Sequence, residues 1–226
     1  NWEHAVSGLH LNQFYGIELD DFAHETAKLS LWLTEHQMNL AFKEVFGETR
    51  PTLPLQDSGN ITCGNALLLN WESICPCGSK YEVYVLGNPP YLGAKNQSPK
   101  QKEDMKICLK GITKAKNLDY IACWFIKAAN YINNESQFAF VTTNSLCQGT
   151  QVPLVWPIIL TGTLELSFAY KNFVWGNNAR NKAGVTCSIV GIRHKSNKEK
   201  FIYTASYAFN CNKSGSIRVN FNIMIC

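Results

Sequence analysis

Tyr81 to Tyr91 reads YEVYVLGNPPY: six residues rich in aromatic and β-branched side chains, then glycine, asparagine, two prolines and a tyrosine. A short apolar run that stops on turn-forming residues is the signature of a buried strand, so the stretch predicts a strand over Tyr81 to Gly87. Each proline fixes its own φ and pushes the residue before it out of the α region. Asn88 and Pro89 are therefore expected to be rigid and extended just past the strand's end. Backbone oxygens in such a segment meet no competing N–H donors, and Asn88 adds a side-chain acceptor. Two acceptors of this kind can hold the hydrogens of one amine, and Tyr91 offers a flat face on which a ring can stack. A plain Pro-Pro turn after a strand is the alternative.

Working outward, Phe14 to Leu19 (FYGIEL) is a second buried strand, and Asp20-Asp21 caps a following helix from Phe22 to about Phe46, which Gly47 ends. Phe22, Leu29, Leu33 and Leu40 are expected on one buried side of that helix. Ile61 to Cys63 is a minimal strand opening onto Gly64-Asn65. Lys95 to Lys116 reads as a polar connection. Leu118, Ile121, Ala122, Phe125, Ile126, Ala129 and Ile132 then repeat at helical spacing and predict a core helix. Gln137 to Thr142 is a strand, Leu154 to Leu160 a helix after Pro153, and Leu164 to Ala169 and Val185 to Ile192 are strands. Strand and helix alternate, which predicts an α/β fold: a mixed, mostly parallel sheet with helices on both faces.

The chain has 226 residues, 46% hydrophobic and 17% charged, with a net charge of +4, enough for one principal α/β unit. No apolar run is long enough to cross a bilayer, and the sequence carries no secretory signal, so a cytoplasmic location is expected. The lysines cluster: Lys95, Lys100, Lys102, Lys106, Lys110, Lys114 and Lys116 face only Glu103 and Asp104 nearby. That segment is either a surface for phosphate or a solvated face. Of nine cysteines, Cys63, Cys108, Cys123, Cys147 and Cys187 stand singly among apolar residues and read as buried free thiols in a reducing compartment. Cys75-Pro76-Cys77-Gly78 has the wrong spacing for tetrahedral zinc, so no metal is expected.

Gly87-Asn88-Pro89-Pro90-Tyr91 resembles motif IV of amino-group methyltransferases with a Rossmann-like fold, a motif shared by enzymes acting on adenine in DNA, on bases in RNA and on glutamine in proteins. Phe14 to Asp20 resembles motif II, which implies that Glu18 accepts hydrogen bonds from the ribose of S-adenosylmethionine. Cys63 to Leu67 resembles motif III and implies that Asn65, where many relatives carry Asp, meets the cofactor's adenine. Leu19, Ala66 and Asn88 join that cofactor site. The stretch from the lysine segment through Phe138 to Gln148, continued by Val152 to Pro157, Trp175 to Asn178 and Ala183 to Cys187, is similar to the gamma class of DNA adenine-N6 methyltransferases. The kind it resembles is fused in single-chain MmeI-like (type IIL) restriction-modification enzymes.

That resemblance implies a class I S-adenosylmethionine-dependent methyltransferase fold. Its partner is double-stranded DNA, and Asn88, Pro89, Pro90 and Tyr91 form the catalytic motif around a base rotated out of the duplex. Phe173 or Trp175, with Trp175 favoured, packs on the base's second face, and Lys95 and Lys100 contact the substrate DNA. Motif I, a glycine-containing loop after a central strand, is expected before Phe14 and is not seen. Residues 1–205 are thus read as an N-terminally incomplete catalytic domain and 206–226 as a tail, either disordered or the start of another domain. The sheet is expected to have unpaired edges at its centre unless something fills the gap, and the chain alone to be poorly active. The parent polypeptide is expected to carry target-recognition and endonuclease parts. Action on RNA or protein glutamine, or a non-catalytic DNA-binding remnant, are the other readings.

Overall fold

The computed structural model describes residues 9–47, 59–79, 81–112, 115–175, 185–204 and 222–225. Its strands are β1 (Phe14–Glu18), β2 (Asn60–Cys63), β3 (Tyr84–Gly87), β4 (Gln137–Thr143), β5 (Leu164–Trp175), β6 (Val185–His194), β7 (Phe201–Thr204) and β8 (Asn222–Ile225). Its helices are α1 (Asp21–Phe46), α2 (Trp71–Ile74), α3 (Pro99–Cys108), α4 (Ala122–Tyr131) and α5 (Val152–Ile159). The described strands form one sheet in the order β2-β1-β8-β3-β4-β6-β5-β7. β6 and β8 run against their neighbours, while the remaining described strands point one way; three neighbouring pairs are parallel and four antiparallel, so the sheet is mixed, as the α/β alternation predicts.

Local chemistry explains the element ends. Asp20 accepts a hydrogen bond from the Ala23 amide at 3.0 Å and so caps α1, and Gly47 closes it with a left-handed φ of 82°. α4 buries the expected stripe, with Ile121, Ala122 and Phe125 fully enclosed. Phe125 meets Phe138 and Phe140 of β4 and Trp156 of α5 edge to face, with ring centroids 5.3–5.9 Å apart. Alternate β4 residues, Phe138, Phe140 and Thr142, face this core.

Three expectations need correction, and one left open is resolved. Phe22, Leu29, Leu33 and Leu40 of α1 are exposed, because α1 buries only Ala27 against the rest of the described chain. The lysine segment is not merely a connection: α3 forms over Pro99–Cys108, started by a Ser98–Gln101 capping box with proline in its first turn. Cys63 and Cys147 are free but exposed; Cys123 and Cys187 are buried as expected, and Cys108 is half-buried. The gap expected at the sheet's centre is filled. Asn222–Ile225, within the range read as a tail, lies between β1 and β3 and pairs antiparallel with both. Two unsatisfied strand edges offer rows of free N–H and C=O groups, and any extended segment that reaches them gains a double ladder.

Candidate active site at the carboxyl edge of the sheet

β8 is antiparallel to both β1 and β3, so those two strands are parallel to each other, and β2 and β4 follow the same direction. Glu18, Gly64-Asn65 and Asn88 therefore all stand at one edge of the sheet, where doubly wound folds bind ligands. Glu18 is half-buried at the end of β1, and its carbonyl accepts from the Gly64 amide at 2.7 Å, tying β1 to the turn after β2. Leu19, beside it, is 65% exposed.

The turn after β2 is heavily bonded. Asn65 Oδ1 accepts from the Leu67 amide at 2.9 Å, its backbone carbonyl accepts from Leu68 and Leu69, and its Nδ2 donates to Asp104 Oδ2 at 3.0 Å. Ala66 is buried; its carbonyl accepts from Trp71 Nε1, and it lines a small apolar cavity with Ile17, Val85, Leu86, Trp124 and Phe140. From beneath, Lys127 of α4 donates to the carbonyls of Leu67 and Leu69 at 2.7 and 2.6 Å and lies 5.5 Å over the Trp71 ring. Burial holds the Lys127 ammonium below the usual lysine range.

β3 delivers Asn88 to the same edge. Asn88 Oδ1 is buried and has no hydrogen-bond partner among the described residues. Buried acceptors are nearly always satisfied, and an exception at a strand end is a place for a donor to arrive. Pro89 is buried and Pro90 exposed. The segment after them is clamped: Asp119 Oδ1 accepts from the Leu92 amide at 2.9 Å, and the Leu92 carbonyl accepts from Gln97 Nε2 and the Tyr120 amide. Gln151 accepts from the Asp119 amide and donates to the Asn117 carbonyl, completing the clamp. Gln97, Asp104, Asp119 and Gln151 escape the sequence reading. Asp119 interrupts an apolar stripe just before α4, which is the one local signal that could have singled it out.

Tyr91 is half-buried, with its Oη 3.9 Å from Cys187 Sγ. Burial, and then the neighbouring thiol, push the phenol up to about 12. Phe173 pairs directly with Cys187 across β5 and β6, which places it on the face that meets Tyr91; Trp175 pairs with Val185, two residues further along, and its side chain lies outside the described residues. Lys95 and Lys100 are both exposed, on a short turn and at the start of α3. Lys102, Lys106, Lys110 and Lys116 are exposed too, and Lys114 falls outside the described residues. Among the described residues no group of histidine, cysteine and acidic side chains could hold a metal, and no helix is long and apolar enough to cross a membrane.

Residues 2–204 match the family model described as "MmeI, DNA-methyltransferase domain". The chain belongs to that family. It is 47% identical over 202 residues to DNA methyltransferase A of Bacillus subtilis (strain 168), covering 87% of this chain and 23% of that protein. It also superposes, with a TM-score of 0.79 and 39% identity, on the structure of the type IIL restriction-modification enzyme MmeI in complex with DNA, covering 87% of this chain and 26% of that one. The chain thus spans about a quarter of the length of each relative. The match to the MmeI family ends at residue 204, where β7 ends, so β8 lies beyond it.

Proposed function

We propose that this MmeI-family domain transfers a methyl group from S-adenosylmethionine to the N6 amine of an adenine rotated out of duplex DNA. The observation that carries the reading is the buried, unpartnered Oδ1 of Asn88 at the end of β3. An exocyclic amine conjugated to a purine is a weak nucleophile because its lone pair is delocalised. An acceptor fixed by two prolines, joined by a backbone oxygen of the same segment, would hold the amine's hydrogens and turn the lone pair outward. Tyr91 would stack on one face of the base, and Phe173 or Trp175 would cover the other.

The cofactor, when bound, supplies an electrophilic methyl on a sulfonium. The residues fit such a group: Glu18 ends β1 with a carboxylate suited to ribose hydroxyls, Asn65 and Ala66 follow β2, and Leu19 adds an apolar surface beside them. Lys95 and Lys100, with the other exposed lysines of this segment, suit contact with phosphate. We assign catalysis to residues 1–205, with the remainder outside the family match, and place the domain in a larger polypeptide with target-recognition and endonuclease parts.

In the full-length protein, Asn88→Ala is expected to lower the methylation rate by about two orders of magnitude or more, the scale on which one preorganised hydrogen-bonding group acts. Cofactor affinity by calorimetry should fall far less, by no more than about tenfold, the scale of one ordinary hydrogen bond at the margin of the cofactor site. Methyl transfer by the variant at the parent rate would refute the assignment. Nucleoside analysis of the methylated DNA, separating N6-methyladenine from methylated cytosines, checks the acceptor.

A further inference from the structure

Of the charged residues on α3, Lys100, Lys102, Glu103 and Lys106 are exposed, and Asp104 alone is buried. A carboxylate is withdrawn from water only where donors replace its hydration. Two donors do so here, from two other elements: Asn65 Nδ2 at 3.0 Å, from the turn after β2, and Tyr120 Oη at 2.8 Å, from the segment entering α4.

This arrangement settles the orientation of the Asn65 amide. Oδ1 is committed to the Leu67 amide, and one Nδ2 hydrogen is committed to Asp104. A flipped amide would set its oxygen against the carboxylate and its NH₂ against the Leu67 N–H, losing both bonds at once. Asn65 is left with one amide hydrogen to offer. An aspartate at 65 would face Asp104 as a like charge in a buried place, so asparagine at 65 and aspartate at 104 form a matched pair.

We propose that Asp104 is a positioning residue for the cofactor site. It locks Asn65 so that an N–H, rather than an oxygen, faces the adenine ring of S-adenosylmethionine, and it does so from the helix that carries the exposed lysines. The inference rests on the cofactor reading given above. It makes the turn after β2 and α3 one unit, so a ligand on either side meets an already fixed amide.

Four variants of the full-length protein test it, with S-adenosylmethionine affinity by calorimetry, KM for S-adenosylmethionine and kcat on duplex DNA, and melting temperature read on each. Asp104→Asn retains an acceptor for both donors, so its affinity stays within about threefold of the parent, less than one hydrogen bond's effect. Asp104→Leu frees the amide to flip and weakens affinity about tenfold or more, the scale of one hydrogen bond, raising KM with little change in kcat. Asn65→Asp lowers both affinity and melting temperature. The exchange Asn65→Asp with Asp104→Asn restores a donor–acceptor pair between the two side chains, with the Tyr120 hydroxyl turned from donor to acceptor, and so regains melting temperature relative to Asn65→Asp alone, yet its affinity stays low because Asp has no N–H to give. Parent-like affinity in Asp104→Leu, or in the exchanged pair, overturns the inference. No binding of S-adenosylmethionine by the unsubstituted protein overturns the cofactor reading itself.

Discussion

Tyr91 shows how one residue can be both a surface and a fixed part. Its ring packs partly into the core while its hydroxyl rests near Cys187, two elements away. Removing the hydroxyl and removing the ring should therefore separate. Tyr91→Phe is expected to keep nearly full methylation, whereas Tyr91→Ala loses roughly ten- to a hundredfold, matching about 1–3 kcal/mol of base–aromatic stacking. The phenol is raised from its ordinary 10.0 to about 12, so its contribution to stability is complete below pH 10 and is lost as pH rises through about 12. Denaturant midpoints of the parent and Tyr91→Phe should accordingly run parallel below pH 10 and converge above it. Tyr91 and Asn88 are legible in the sequence because consecutive prolines leave few conformations. Asp104 is not, because an acid beside Glu103 in a lysine-rich segment reads as surface charge until its partners from the turn after β2 and the segment entering α4 are in place.

At the scale of elements, β5 and β6 are held by a close approach and by a charge cluster. A Cβ on Gly191 would lie 2.3 Å from Phe168 Cε1 and 2.9 Å from Ser167 Oγ. Gly191→Ala is thus expected to destabilise by about 1–3 kcal/mol or more in denaturant titrations, as overpacking does. Glu165 of β5 accepts from Arg193 of β6 at 3.1 Å and pairs with Lys200 at 2.8 Å. Lys200 first, and then Arg193, hold its carboxyl down to about 2. A depressed carboxyl stabilises the fold above its unfolded value of about 4.5 and loses that contribution as pH falls towards about 2. Acid titration of Glu165→Gln should show a flatter decline over that interval than the parent does. Strands β3 to β6 are legible as apolar runs with glycine, asparagine or proline at their ends. β7 is not, because all four of its residues are exposed and burial imposes no pattern on them. α3 is poor in apolar residues, and its Ser98-Pro99-Lys100-Gln101 start is the signal that was available.

The whole molecule depends on what lies at the middle of its sheet. Met224 of β8 faces Tyr15 of β1 on one side and Val85 of β3 on the other. A proline there removes a donor and cannot be accommodated in a strand paired on both sides. Met224→Pro is expected to raise amide exchange in β1 and β3 while β4, β5 and β6 stay protected, read by hydrogen-exchange mass spectrometry; uniform protection would place β8 outside the cooperative sheet. Neither the position nor the direction of β8 is legible locally, since three apolar residues after an asparagine become a central strand only when two edges are waiting. Lys127 works at the same scale from below, spanning from α4 to the carbonyls of Leu67 and Leu69. A loop already immobilised by a cation has little disorder left to lose when a ligand settles on it. Calorimetry of Lys127→Met should therefore report nearly the same heat of cofactor binding with a distinctly less favourable entropy, because the loop's freedom, restored by the substitution, would be surrendered at each binding event.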